Sequence, residues 1–202
     1  DFMPTCEESG LILAIGEWTL RTVCQQLIEW PMLEHLSLNI SSRQFHQPTF
    51  TEQIENTLAE YNLSPQRLML EITEKIVVKD IDASIEKLNT LQALGVRISI
   101  DDFGMGYSSL ADLRYLPINQ LKIDQSFIRD ICIDNDAALI VEAMIMMANH
   151  LGLHIVAEGV ETAEQLQFLQ KNKNCNVYQG YYFNKPLPIE NFNSLLSETL
   201  AN

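Results

Sequence analysis

Patterns typical of strands and helices alternate along the whole sequence, and this alternation limits the possible folds more than any other feature. Short β-favouring apolar runs are followed by segments of helical periodicity, with connections of only a few residues between them. Such alternation is typical of a parallel α/β sheet or barrel. The predicted strands cover residues 36–40, 67–72, 96–101, 120–124, 154–158 and 176–179. The predicted helices cover residues 8–30, 50–61, 81–94, 108–115, 136–150, 162–170 and 189–200.

Polar side chains stand at the carboxyl end of every predicted strand. In a (β/α) barrel these ends converge on one mouth, where the active site is built, whereas an open sheet concentrates polar groups at one switch point. We therefore predict a (β/α) barrel, although six strands are too few to close one comfortably. The polar residues concerned are Asn39, Glu71, Asp101, Asp102, Lys122, Glu158 and Gln179.

Length, charge and cysteine spacing narrow the class of protein. The 202 residues contain no linker or low-complexity stretch, which predicts a single domain. A formal net charge of −14 repels nucleic acid polymers and anionic membranes, so a phosphate-bearing ligand would need bound cations. The four cysteines lack metal-ligand spacing, and the sequence shows neither a signal peptide nor a membrane span. We expect a cytoplasmic domain with reduced thiols, whose parent chain can still carry a membrane anchor.

Two adjacent carboxylates, Asp101 and Asp102, end a β-favouring run and are followed by Gly104 and Gly106. Neighbouring side chains on a strand point to opposite faces, but a turn enabled by the glycines would bring both into one space. Their repulsion then favours a divalent cation between them. The alternative is that the pair caps the helix predicted to follow. Both interpretations remain open from this segment alone.

The acidic residues at the other strand ends favour the metal interpretation. Glu71, Asp101, Asp102 and Glu158 supply carboxylates, Asn39 supplies a neutral oxygen, and Lys122 supplies a fixed cation. Oxygen ligands favour Mg²⁺ or Mn²⁺ over zinc or copper. Adjacent aspartates can each serve a different ion, which gives the paired-metal arrangement used to attack phosphate esters. Each residue taken singly could instead cap a helix or form an ion pair, but capping alone would not select this chemistry at successive strands.

The sequence resembles the EAL family, the bacterial cyclic di-GMP phosphodiesterase domains, through motifs in the family's order along nearly the whole chain. Together these motifs are highly specific. They are Phe2-Met3-Pro4 with Glu7 and Gly10, Asn39-Ile40-Ser41, Glu71-Ile72-Thr73-Glu74, residues 101–110, Leu121-Lys122-Ile123-Asp124, Ala157-Glu158-Gly159-Val160-Glu161 and Gln179-Gly180-Tyr181.

The resemblance implies a TIM-like barrel in which two Mg²⁺ or Mn²⁺ ions activate a water that attacks cyclic di-GMP, giving linear pGpG. It matches Asn39, Glu71, Asp101, Asp102 and Glu158 to metal positions, with Glu158 also a candidate base, and Lys122 to a catalytic lysine. It implies loop-holding or substrate-proximal positions at Glu74, Asp124, Glu161 and Gln179. It also implies a homodimer through this domain and a GGDEF or sensor domain in the parent chain.

The chain departs from the family pattern in two places. The Glu-Ala-Leu segment, whose Glu is a metal ligand in the family, lies upstream of the region that contains Asp1. We therefore expect residues 1–202 to be an EAL domain that lacks its first two strands, which would explain the count of six. The second departure is Met105, where the family usually has Thr, and this change is expected to weaken activity or regulation.

Three hypotheses about function follow. The first is a metal-dependent cyclic di-GMP phosphodiesterase, which the retained carboxylates and Lys122 favour. The second is a catalytically inactive EAL domain that binds cyclic di-GMP as a receptor or signalling module. The third is a metal-stabilised structural barrel without a nucleotide ligand.

Overall fold

Six parallel strands form one curled sheet, with the helices packed around it. The computed structural model describes residues 2–104, 113–171, 175 and 177–200. Strand order follows chain order from β1 to β6. The strands are β1 (Leu36–Ile40), β2 (Leu68–Thr73), β3 (Arg97–Phe103), β4 (Gln120–Ile123), β5 (His154–Ala157) and β6 (Val177–Tyr178). The α/β architecture is therefore the predicted one, an open barrel of the TIM-like type.

The longer helices occur where the sequence predicted them, with one difference near the start of the chain, and three short helices of four to six residues after β1, β2 and β4 were not predicted. They are α1 (Met3–Ser9), α2 (Leu11–Glu29), α3 (Ser42–Phe45), α4 (Phe50–Glu60), α5 (Glu74–Val78), α6 (Ile81–Leu94), α7 (Gln125–Asp130), α8 (Asn135–His150), α9 (Ala163–Lys171) and α10 (Ile189–Leu200). The predicted helix 8–30 is two helices, because Gly10 has a φ of 82° and interrupts the helical backbone. Most of the helix predicted at 108–115 lies outside the described residues, as does Met105.

The core lies on both faces of the sheet. Strands β2 and β4 are buried along almost their whole length, as expected for parallel strands covered by helices on one face and barrel interior on the other. Leu68, Leu70, Ile98, Leu121 and Ile123 have no exposed surface. Burying a side chain of this size contributes about 1.5–3 kcal/mol to folding. This packing fixes the strands whose carboxyl ends carry the polar residues.

The helical layer connects the two ends of the described sheet. Trp30, which follows α2, donates a hydrogen bond from Nε1 to Oδ1 of Asn193 at 2.7 Å. Its ring also packs against Phe192, with centroids 4.9 Å apart. Helix α10 thus contacts the end of α2, while β1 and β6 remain unpaired with each other in the described part of the sheet.

Within the described residues, no helix combines the length and apolar character needed to cross a bilayer.

Candidate metal centre

A buried lysine, Lys122, holds three carboxylates at the carboxyl ends of the strands. Its Nζ lies 2.6 Å from Oε1 of Glu158, 2.9 Å from Oε2 of Glu71 and 3.3 Å from Oδ1 of Asp101. The lysine side chain is 5% exposed. Parallel pairing of β2 with β3, β3 with β4 and β4 with β5 brings these residues together. The predicted convergence of strand-end groups is therefore present in the structure.

The ion pairs change the protonation behaviour of this cluster. Burial lowers the pKa of Lys122, but its hydrogen bonds to Glu158 and Glu71 outweigh burial and hold the pKa above its usual value. Burial raises the pKa of Glu158 to about 7, and the nearby Asp101 carboxylate adds to the rise while the Lys122 hydrogen bond opposes it. One ammonium group thus incompletely neutralises three carboxylates, which leaves excess negative charge for a further cation.

A break in regular pairing brings Asp102 to the same side as Asp101. The register between β3 and β4 shifts between Ile100 and Phe103, and Asp102 adopts a positive φ of 53°. Its backbone N–H donates to Oδ1 of Asp101 at 3.0 Å, which stabilises the bend. The expected turn therefore occurs at Asp102 itself, before the first glycine. Asp102 does not act as a cap of a described helix, and its carboxylate is exposed beside the cluster.

The resulting carboxylates fit a divalent cation. One oxygen from each of Asp101, Asp102 and Glu158 lies within 4.8 Å of the other two. Two oxygens on one Mg²⁺ or Ca²⁺ ion are separated by at most about 5 Å, since each bond is about 2.0–2.6 Å long. Burial, with the carboxylates of Asp101 and Asp124, raises the pKa of Asp102. Mutual repulsion among hard oxygen donors at this spacing is what a bound cation relieves.

A recess of about 300 Å³ opens beside these carboxylates. Asp102 and Glu158 line it together with three of the other predicted site residues, Asp124, Glu161 and Gln179. The 158–161 segment and the end of β6 are joined by the hydrogen bond from the Val160 N–H to the Gln179 carbonyl, 3.0 Å long. The recess thus combines acidic groups with an amide and is open to solvent.

Glu74 lies outside this recess and holds the backbone beyond the Asp pair. Its Oε2 accepts a hydrogen bond from the Gly104 N–H at 3.1 Å, and the residue is buried. On the other side, an added Cβ at Gly104 would lie 2.6 Å from Cε of Met144 and 2.7 Å from the Phe127 ring. Gly104 is therefore enclosed between a carboxylate and two apolar side chains.

Asn39 is separate from the Lys122 cluster in the described contacts. It is exposed on β1, opposite Glu71 in the strand register. It lines a larger cavity of about 950 Å³ between β1 and helices α1 and α2, to which Glu71 also contributes. The structure thus places Asn39 next to Glu71, and its role as a ligand stays a prediction.

Three residues near the site were missed by the sequence reasoning. Phe127 and Met144 contact the Gly104 position. Gln165 bonds to the segment that follows Glu158. A signal for Gln165 was present, since Thr162 and Gln165 have the spacing of a helix capping box. No sequence signal was evident for the packing on Gly104.

The fold and the site together define a class, the α/β barrel domains that carry a cluster of carboxylates at the carboxyl ends of their strands. Within this class the chain belongs to the EAL domain family, whose model matches residues 1–186. It is 44% identical over 193 residues to the bifunctional diguanylate cyclase/cyclic di-GMP phosphodiesterase MucR of Pseudomonas aeruginosa, covering 94% of this chain and 28% of MucR. The chain spans about a quarter of the length of the curated relatives it matches.

Solved structures agree with this assignment. A MucR phosphodiesterase structure in complex with cyclic di-GMP matches with a TM-score of 0.90 and 42% identity, covering 95% of this chain and 78% of that one. A manganese and cyclic di-GMP complex of BlrP1 from Klebsiella pneumoniae matches with a TM-score of 0.78 and 28% identity. That match covers 86% of this chain and 45% of the BlrP1 chain.

Proposed function

We propose that this domain is a metal-dependent phosphodiesterase that hydrolyses cyclic di-GMP to linear pGpG. The observation that carries the proposal is the group of carboxylates from Asp101, Asp102 and Glu158 beside the buried Lys122. The same arrangement offers a place for cations and a group able to take a proton. MucR, which is named as a cyclic di-GMP phosphodiesterase and diguanylate cyclase, and its nucleotide complex support the choice of substrate.

We assign the cation site to Asp101, Asp102 and Glu158, with Glu71 and Asn39 contributing next to them. Two ions of Mg²⁺ or Mn²⁺ are proposed, and the manganese complex of BlrP1 supports this choice of metal. Bound cations would neutralise phosphate charge and lower the pKa of a water molecule. Glu74, Asp124, Glu161 and Gln179 are proposed to hold the surrounding loops or to contact the substrate.

Glu158 and Lys122 have separate proposed roles in the reaction. In the reaction, a water oxygen forms a bond to phosphorus while the bond between phosphorus and the 3′ oxygen of the nucleotide breaks. The water loses a proton, and the leaving 3′ oxygen gains one to become a hydroxyl. Glu158 is suited to accept the water proton, since its carboxylate lines the open recess beside Asp102. Lys122, bonded to three carboxylates, holds Glu158 and Glu71 in place and offers positive charge near the phosphate.

We also propose the assembly that the family implies. In this proposal residues 1–202 are one cytoplasmic EAL domain, which pairs with a second copy and belongs to a parent chain with a GGDEF or sensor domain. The double name of MucR, which includes a diguanylate cyclase, supports an additional domain of this kind.

The proposed activity is tested by incubating the protein with cyclic di-GMP and Mn²⁺ and separating the nucleotides by chromatography. We expect pGpG to appear with time, and EDTA to stop its formation. Tight binding of cyclic di-GMP without any pGpG would exclude the enzyme and leave the receptor hypothesis. If the protein neither binds cyclic di-GMP nor forms pGpG, the hypothesis that remains is a structural barrel without a nucleotide ligand.

A further inference from the structure

The segment that carries Glu158 is held by backbone contacts on one side. The Glu158 N–H donates to the Ile123 carbonyl at 3.2 Å, which fixes the start of the segment to β4. At its other end, Glu161 and Thr162 precede α9 and present N–H groups that a helix does not satisfy internally. Val160, in the middle of the segment, is bonded to Gln179, so the part of the segment that depends on what binds these two donors is its end next to α9.

Gln165 binds both donors and also connects them to another helix. Its Oε1 accepts from the N–H groups of Glu161 at 2.8 Å and Thr162 at 3.0 Å. Its Nε2 donates to the carbonyls of Ile128 at 3.2 Å and Arg129 at 3.3 Å. Gln165 is buried, with 6% of its surface exposed, and its side-chain oxygen and nitrogen each make two hydrogen bonds.

The helix that receives these hydrogen bonds, α7, begins at the candidate metal centre. Asp124 caps it by accepting from the Ser126 N–H at 2.8 Å, and the same carboxylate raises the pKa of Asp102. Gln125, the first residue of α7, lies against Gly159, where an added Cβ would be 2.4 Å from the Gln125 Cβ. Helix α7 and the 158–161 segment are therefore in contact at the site and joined by Gln165 at the far end.

We propose that Gln165 is a positioning residue for the metal centre. It locks the 158–161 segment to α7 and so fixes the distance of the Glu158 carboxylate from Asp101 and Asp102, without itself touching a reacting atom. The inference rests on the proposed function for its catalytic part, while its effect on cation binding can be measured without a nucleotide. Groups hydrogen-bonded directly to metal ligands change metal affinity or activity by about 10-fold to 100-fold when they are replaced, and Gln165, which acts through the backbone, should lie at the lower end of this range.

The test compares Mn²⁺ binding by three variants, followed through the electron paramagnetic resonance signal of free Mn²⁺. Gln165→Met keeps the length and helix preference of the side chain and removes all four hydrogen bonds. Gln165→Glu keeps acceptor oxygens for Glu161 and Thr162 but loses the donors to α7. The matched control is Asn119→Leu, because the Asn119 Oδ1 accepts from the Ile98 N–H at 2.9 Å near the opposite end of the sheet.

We expect Gln165→Met to weaken Mn²⁺ binding about 10-fold and to lower kcat by a similar factor. Gln165→Glu should also weaken binding, because an acceptor oxygen then faces the Ile128 and Arg129 carbonyls, and it serves as the second test if the methionine variant does not fold. Asn119→Leu should lower the melting temperature and leave Mn²⁺ affinity unchanged.

The inference is wrong if the Gln165 variants bind Mn²⁺ within twofold of the wild type, or if Asn119→Leu weakens binding equally. Its failure is distinguishable from failure of the proposed function. If the wild-type protein binds Mn²⁺ but makes no pGpG, only the proposed phosphodiesterase activity is wrong. If the wild-type protein binds no Mn²⁺, both the proposed activity and the inference about Gln165 are wrong.

Discussion

Lys122 lies among three carboxylates, and this arrangement sets the charge of the site in the metal-free protein. Desolvating a charge costs more than a single contact returns, so a buried ammonium of this kind needs several partners. Glu71, Asp101 and Glu158 supply them at 2.6–3.3 Å. Burial raises the pKa of Glu158 to about 7, and the Asp101 carboxylate adds to the rise while the Lys122 hydrogen bond opposes it. Proton binding at Glu158 and cation binding therefore compete.

This competition predicts that Mn²⁺ affinity falls as pH is lowered from 8 to 6. Because the folded pKa of Glu158 is raised to about 7, the carboxylate is increasingly protonated below that pH and must lose its proton to bind a cation. Because of this protonation of Glu158, the affinity for Mn²⁺ should fall by up to about 10-fold per pH unit below pH 7. Isothermal titration calorimetry at several pH values measures the Mn²⁺ affinity.

The matched control for the pH dependence is Glu158→Gln. The variant should bind Mn²⁺ more weakly at pH 8, and its affinity should depend less on pH between 8 and 6. Equal pH slopes in the wild type and the variant would show that Glu158 is not the group whose proton is displaced.

The strands and the longer helices were predictable from periodicity because each buries an apolar face, and their bounds agree within a few residues, whereas the short helices α3, α5 and α7 were not predicted. Two local features were not predictable in this way. Gly10 interrupts the first helical pattern with a φ of 82°, although the apolar periodicity continues. At Asp102 the strand bends with a φ of 53°, a conformation that alternation of apolar residues does not encode. The second feature shapes the site, since it brings the adjacent carboxylates together.

Close backbone contact between elements predicts a severe effect for Gly180→Ala. An added Cβ at Gly180 would lie 2.1 Å from the Val160 carbonyl oxygen, so the segment after β6 must move away from the 158–161 segment. We expect a loss of about 1–3 kcal/mol of stability and weaker Mn²⁺ binding. Thermal unfolding and a Mn²⁺ binding isotherm measure the two effects.

Gly152→Ala provides the control for this variant. Among the described residues other than its two chain neighbours, no atom lies within 4 Å of a Cβ built at Gly152, but its φ of 72° makes alanine strained. The cost should be about 1 kcal/mol, with no change in Mn²⁺ binding. Similar Mn²⁺ affinities for the two alanine variants would contradict the proposed role of the Gly180 contact.

At the scale of the molecule, the parallel sheet makes residues far apart in sequence meet at one end. The strand-end positions of Glu71, Lys122 and Glu158 were sufficient to predict their convergence. Which oxygens approach one another was not predictable, because it depends on the register of the strands and the bend in β3. Asn39 lies opposite Glu71 in the strand register, and its role as a ligand stays a prediction.

The measurement that tests the account most directly compares the wild type with Glu158→Gln for cyclic di-GMP binding and for pGpG formation in Mn²⁺. The amide keeps the shape of the side chain but removes its charge and basicity. We expect turnover to fall by at least about 100-fold while nucleotide binding remains largely intact. Wild-type turnover in Glu158→Gln would contradict the assignment of the Lys122 cluster as the catalytic centre.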